Sequence, residues 1–316
     1  MGSGLEAQKA LIPNSIDLIF LPIDTPNQQD RDFMDQNLEG LHYAPLNVSG
    51  QLERVNKITS FLASHPKLLF VIDVSVEIAM LSRLCGVPTI VIRQHGLRDD
   101  LPHQICYRNA AGLLAPFDLQ MSGPGPEWVN EKTFYTGGFS RFAPSADTSD
   151  VSKKQVAVLI GRGGTSINGQ FLDYLSSQCP QWTFHVVGDS QHLSHIHNLQ
   201  FHGELSDPQA ILTECSIVIG NAGHNTVMEC ASLNKRFIAI AEERPFEEQE
   251  EKARIIQKLA LAVHVSASEI FDLDWKVILE NLVTTHPNWS GFISSDAAER
   301  AADYLRQTHR TLFQHH

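Results

Sequence analysis

The sequence predicts an α/β protein built on parallel sheets, and three observations carry that expectation. Short apolar runs recur along the chain, bounded by glycine or by polar clusters, as in strands buried on both faces. Segments of helical periodicity lie between them, and strands that alternate with helices pair in parallel. Several of the runs end in glycine, and the carboxyl ends of the strands are where such sheets hold ligands.

Taken in order, residues 16–22 read as a strand, 52–64 as a helix, 68–73 as a strand, 76–85 as a helix, 88–93 as a strand and 112–116 as a short strand. Residues 143–153 lose apolar periodicity in favour of Pro, Ser, Asp and Lys, and read as a linker between domains spanning 1–142 and 154–316. The second half opens on Val156, Ala157, Val158, Leu159 and Ile160, a continuous apolar run, followed by a helix over 169–178. Residues 183–187 form the next strand, with Gly188 at its end, and residues 236–241 another. A last helix covers about residues 296–307.

The most informative segment runs from Val218 through Gly220, Asn221, Ala222, Gly223, His224, Asn225 and Thr226 to Glu229, an apolar strand passing through glycines into a capped helix. Backbone N–H groups at a helix start are unpaired and carry the positive end of the dipole, so a glycine-lined start suits a diphosphate, with Asn225 and Thr226 as further donors. Glu229 lies one turn on, within reach of a ribose diol. Strand–glycine–helix junctions occur in most α/β domains, so this segment alone is evenly balanced between a site and plain turn chemistry. A second junction tips the balance: the run 156–160 ends in Gly161, Arg162, Gly163, Gly164, Thr165 and Ser166. Further on, Glu247, Glu248, Gln249, Glu250 and Glu251 open a helix, where acids commonly complement the dipole.

Residues 154–305 resemble the nucleotide-sugar-binding domain of GT-B glycosyltransferases of family 28, which includes the N-acetylglucosaminyltransferase that forms lipid II. The resemblance implies that Gly161, Arg162, Gly163, Gly164 and Thr165 face the donor diphosphate. It makes the segment from Asn221 to Thr226 the second phosphate loop, Glu229 the ribose-binding residue, and Glu248 with Gln249 the pair on the donor sugar. In the first half, the segments 40–46, 71–77, 86–96 and 98–103 resemble an uncharacterised bacterial subgroup of the same family. The fold implied is GT-B, two Rossmann-like domains with parallel sheets facing a central cleft, the first domain binding acceptor and the second donor. No apolar strand precedes Gly2, Ser3 and Gly4, and Leu5 stands where the family often has a histidine base. The first strand of the N-terminal domain is therefore expected to be missing, so that the domain exposes one sheet edge or borrows a strand from elsewhere.

The chemistry implied is transfer of a sugar from a nucleotide-diphosphate donor, with a UDP-sugar favoured, to an acceptor hydroxyl, inversion being carried over from the family. It calls for charge stabilisation on the leaving diphosphate and a base for the acceptor. Asp73, at the end of a strand, and His95 and His103, in the loop after the next, are candidate bases, with Asp99 and Asp100 beside them and His42 a weaker one. Gly188 and the loop containing His202 border the donor, the latter bearing on base choice. No metal is expected: Asp272 and Asp274 spell an Asp-x-Asp but precede a late helix and read as a cap. No cofactor is expected beyond the nucleotide sugar as substrate. A nucleotide-sugar epimerase and a non-catalytic nucleotide-sugar-binding protein are the alternatives.

Composition agrees. At 316 residues and 42% apolar content, the chain has the material for two cores, and 19% charged residues are too few for a disordered chain. A net charge of −12 argues against a nucleic-acid partner. The five cysteines have no metal-ligand spacing and are expected to be buried thiols in a reducing cytoplasm. No apolar run reaches the roughly 20 residues of a membrane span, and peripheral membrane contact is left open.

Overall fold

The computed structural model describes residues 1–35, 38–161, 163–190 and 196–314. In chain order the elements are α1 (Ser49–Ser64), β1 (Phe70–Asp73), α2 (Val76–Leu84), β2 (Thr89–Ile92), α3 (Leu101–Asn109), β3 (Gly112–Ala115), α4 (Glu127–Lys132), β4 (Thr133–Tyr135), β5 (Gln155–Leu159), α5 (Gly169–Gln178), β6 (Thr183–Val187), β7 (Leu199–Gly203), α6 (Gln209–Glu214), β8 (Ile217–Asn221), α7 (His224–Ser232), β9 (Arg236–Ala241), α8 (Glu248–Lys258), β10 (Ala262–Ser266), α9 (Trp275–Leu282) and α10 (Ala297–Phe313). One sheet has the order β1-β2-β3-β4, and a six-stranded sheet the order β10-β9-β8-β5-β6-β7. The chain divides into two compact units. The first comprises Met1–Arg93, Asp99–Leu113 and Leu305–His316, and the second Gln94–Arg98 and Leu114–Tyr304.

In the second unit every strand pair is parallel. The order doubles back at β5 and β8: from β5 the chain winds outward through β6 and β7, then returns to β8 on the other side and continues through β9 and β10. Strand alternation sends Val156, Val158, Ile217, Ile219, Ile238 and Ile240 into one core with Phe171, Phe184 and Trp275. Ala157, Val218, Phe237 and Ala239 enter a second core with Phe117, Val227, Met228 and Trp289. Both faces are covered, so the strands read as unbroken apolar runs. Below the sheet, Lys235 is 1% exposed and its ammonium is held by Asp147 at 2.7 Å and the Thr213 and Cys215 carbonyls at 3.0 Å. Arg236 donates to the other oxygen of Asp147 at 2.9 Å, so a residue in the stretch read as linker pairs with two buried cations.

In the first unit β1 and β2 pair in parallel from Phe70 opposite Thr89 to Asp73 opposite Ile92. Leu21 packs on Ile58 and Leu62 of α1. The side chain of Ser75 caps α2 and that of Asp100 caps α3, each accepting from the backbone N–H three residues on. His309, near the end of α10, bonds the Lys67 carbonyl at 2.8 Å through Nε2.

Several expectations need correction. Residues 16–22 form no extended strand: Phe20 makes only an isolated parallel bridge to Gly2, and Gly4, at φ 66°, turns the chain out of pairing geometry. His103 lies in α3 rather than a loop, because Asp100 and Pro102 start a helix there. Phe201, His202 and Gly203 belong to β7, an edge strand with partly exposed residues and hence a weak apolar signal. The last helix continues to Phe313. All five cysteines are free, but Cys85 is exposed. Among the described residues no helix is long and apolar enough to cross a membrane.

Candidate functional site

The site is best built from the doubling-back point of the six-stranded sheet. β5 and β8 are neighbours, in register from Val156 opposite Ile217 to Leu159 opposite Gly220, so their two glycine loops leave the same edge side by side. At such a point the flanking loops part and open a crevice. An added Cβ at Gly161 would lie 3.5 Å from Asn221 Oδ1, which measures how closely the loops approach. Gly188, at the end of β6, has φ 118° and lies so close to Ile160 that a Cβ would sit 2.6 Å from its carbonyl oxygen. No other residue fits there.

A cavity of about 160 Å³ occupies this edge, with Gly161, Gly188, Glu204, Thr226, Glu229 and Arg141 in its walls. α7 starts at His224 behind Gly223 with no side-chain cap, contrary to the capped start expected, so its first backbone N–H groups are not taken by a capping side chain. Glu229, one turn into α7, accepts from Arg141 Nε at 2.9 Å through Oε1, while Oε2 has no partner among the described residues. Burial pushes the Glu229 carboxyl above its ordinary range, against the pull of Arg141. Arg141 is itself fixed by the Ser206 carbonyl at 2.7 Å. A larger cavity of about 510 Å³ is lined by Glu242, Glu243, Glu247 and Glu250 together with Arg244, a wall of net negative charge that disfavours an anion.

The loop from β9 to α8 clamps the first glycine loop. Glu242 Oε1 accepts from Thr165 Oγ1 at 3.1 Å, Ser166 N at 2.6 Å, Ser166 Oγ at 2.8 Å and Asn221 Nδ2 at 2.8 Å, joining both loops through one atom. Arg244 donates to the carbonyls of Gly163 and Gly164 at 2.8 and 2.6 Å. Thr165 and Asn221 thus spend their polar atoms on the clamp. Gln249 does likewise: it is 8% exposed and its Oε1 accepts from Glu242 N at 3.1 Å. Sequence reading passed over Glu242, Arg244 and Arg141; the available signal was a charged pair directly after the buried run of β9, at the ligand edge.

A basic group lies beside the start of α7. Lys252 is fully buried, 3.6 Å from Glu248 Oε1, and burial brings its ammonium down to about 8 against the pull of Glu248. Glu248 Oε2 meets Arg98 at 3.4 Å, and the Arg98 guanidinium stands 4.9 Å from the centre of the Phe246 ring. Burial, reinforced by Lys252, holds His224 down at about 3, so its imidazole is neutral. His95, 3% exposed, packs 4.1 Å from Phe117 and 6.4 Å from His224, ring centre to ring centre.

The predicted residues therefore divide. Gly161, Gly188, Thr226 and Glu229 share the cavity, and Gly163, Gly164, Thr165 and Asn221 belong to the clamp. Ala222 is buried and Asn225 exposed on the same turn. His202 pairs with His185, ring nitrogen to ring nitrogen, at 3.1 Å. Arg162 lies outside the described residues. Asp73 and His103 belong to the first unit, Asp73 exposed at the end of β1 and His103 buried with Nδ1 on Asp100 Oδ2 at 2.6 Å. Asp274 caps α9, as its position before that helix led one to expect.

With this geometry in hand, residues 156–280 match the family model "Glycosyltransferase family 28 C-terminal domain". Over that segment the chain resembles family 28, and its fold is GT-B. Solved structures share its fold at low identity. MurG of Acinetobacter baumannii aligns with a TM-score of 0.57 and 14% identity, covering 82% of this chain and 80% of that one. An Arabidopsis thaliana protein complexed with UDP-L-rhamnose aligns with a TM-score of 0.59 and 13% identity over 96% of this chain and 88% of that one. The spinosyn rhamnosyltransferase SpnG, complexed with thymidine diphosphate, aligns with a TM-score of 0.54 and 12% identity over 80% of this chain and 77% of that one. A comparison with curated protein sequences finds no match. The family match runs from β5 into α9, which contains the clamp and the cavity walls named above other than Arg141, but neither Asp73 nor His103.

Proposed function

We propose that this chain is a glycosyltransferase that takes a nucleoside-diphosphate sugar, a UDP-sugar by preference, and moves the sugar with inversion to an acceptor hydroxyl without help from a metal. The observation that carries the reading is the pair of glycine loops on adjacent strands at the doubling-back point, with Glu229 one turn into the helix that follows. Backbone N–H groups at the uncapped start of α7 would take the diphosphate and offset the charge that grows on it as the glycosidic bond breaks. Glu229 Oε2 would accept from a ribose hydroxyl while Arg141 holds Oε1. Glu248, between Arg98 and Lys252, would meet the sugar, and Asp73, His95 and His103 are the candidate bases. The likeness to structures holding UDP-L-rhamnose and thymidine diphosphate supports a pyrimidine diphosphate as donor.

The test is thermal stability of the native chain and of Glu229→Ala against UDP, dTDP, GDP and ADP. A nucleotide at about 100 times its dissociation constant should stabilise the native chain by roughly 2.7 kcal/mol, and the variant by much less. No shift with any diphosphate sinks the donor-site reading. Conversion of the donor sugar with no acceptor added would replace transfer by epimerisation.

A further inference from the structure

The first unit carries a cluster that the donor chemistry does not use. His42 Nε2, His103 Nδ1 and a carboxylate oxygen of Asp100 lie within 4.8 Å of one another. His42 Nε2 donates to Asp100 Oδ1 at 2.8 Å and His103 Nδ1 to Asp100 Oδ2 at 2.6 Å, so one carboxylate stands between two imidazoles whose ring centres are 4.5 Å apart. Each part is held from outside the cluster. Asp100 caps α3, accepting from His103 N at 3.1 Å. His103 is 3% exposed and packs near Tyr107. The backbone N–H groups of His42 and Tyr43 donate to Glu77 Oε1 at 2.7 and 3.1 Å, and Ser75 Oγ steadies the other oxygen of Glu77 at 3.1 Å.

We propose that His42, Asp100 and His103 form a binding site for one divalent transition-metal ion, with Zn²⁺ the best match. Two imidazole nitrogens and one carboxylate suit zinc, whereas Mg²⁺ and Ca²⁺ favour all-oxygen surroundings. Three protein ligands leave a fourth tetrahedral position for water. Zinc bonds of about 2.0–2.2 Å place tetrahedral ligand atoms roughly 3.3 Å apart. The present separations are shorter because a proton bridges each pair, and the ion replaces those protons by opening each contact by about half an ångström. In the metal-bound form each ring carries its proton on the other nitrogen, or releases it to solvent. The part-exposed side of His42 and Asp100 provides the entry path. The ion would tie the loop around His42, which has no helix or strand of its own, to the start of α3. This inference does not rest on the donor site, and it gives His103 a role other than base.

The experiment uses the full chain, stripped with chelator, loaded with Zn²⁺ or Co²⁺ and freed of loose ion by gel filtration. Elemental analysis should find about one ion per chain, and Co²⁺ should give the visible absorption of a four-coordinate site. His42→Ala, at a part-exposed position, and Asp100→Asn, which keeps a good helix cap, should both fold by circular dichroism and lose the ion and the absorption. A native chain that retains no stoichiometric ion overturns the proposal. So does an ion count unchanged by either substitution, which would place the metal on other histidines.

Discussion

The two units solve the same problem, a parallel sheet with ligand groups near it, in different ways. In the second unit β8 and β9 are buried at every residue, and the groups at their carboxyl edge are fixed by short loops and by one carboxylate, Glu242. In the first unit β1 leaves Val71 and Asp73 exposed, and residues 12–48 contain only isolated bridges among the described residues. Its converging groups, His42, Asp100 and His103, are brought together by side chains across a loop rather than by strand ends. A sheet covered on both faces positions its loops through the backbone. Beside a partly exposed edge strand such as β1, that work falls to individual contacts.

Core truncation should separate the units most sharply. Ile240→Ala removes a fully buried side chain from β9 and should cost about 2–5 kcal/mol, while Val71→Ala in β1, 39% exposed before the change, should cost under about 1 kcal/mol. Urea denaturation gives both values, and equal losses would break the comparison. Next comes the clamp: Glu242→Ala leaves the donors of Thr165, Ser166 and Asn221 without their acceptor and should destabilise by about 2–3 kcal/mol. It should also reduce the thermal shift produced by nucleotide. In the first unit Glu77→Ala releases two donors on a partly exposed loop and should cost under about 1 kcal/mol.

The last effect is in acid. His224 is held neutral down to about 3, against an ordinary value of 6.5, so below pH 6.5 the unfolded chain takes up a proton that the folded chain refuses. Stability is complete above pH 6.5 and falls as pH drops toward 3, by about 1–2 kcal/mol at pH 5. His224→Gln should flatten that part of the profile in pH-dependent denaturation. An unchanged slope would assign the acid loss elsewhere, with His185, also lowered by burial, the next group to substitute.

Much of the second unit was legible in the chain. The bounds of α5, β6 and β9 were readable in the chain, because strands buried on both faces are mostly apolar and a helix between them must show its period. The glycine at 188 was equally readable, since close approach to Ile160 admits no side chain. Residues 16–22 misled because an apolar composition becomes a strand only where a neighbour is available to pair along its length. β7 escaped notice at the sheet edge, where one side carries mixed residues.

By itself, then, the sequence determined the alternation of strands and helices, the glycine loops at their ends and the glutamate one turn into α7, all of them local in the chain and governed by burial and backbone freedom. Only the tertiary structure decided that Glu242 joins the two loops, that Arg141 holds Glu229, that Asp147 pairs with both Lys235 and Arg236, and that His42 meets Asp100 and His103. Each of these contacts joins residues far apart in the chain, and a charged side chain carries no local mark of its partner. Its position in sequence says that it can pair; the fold alone says with what.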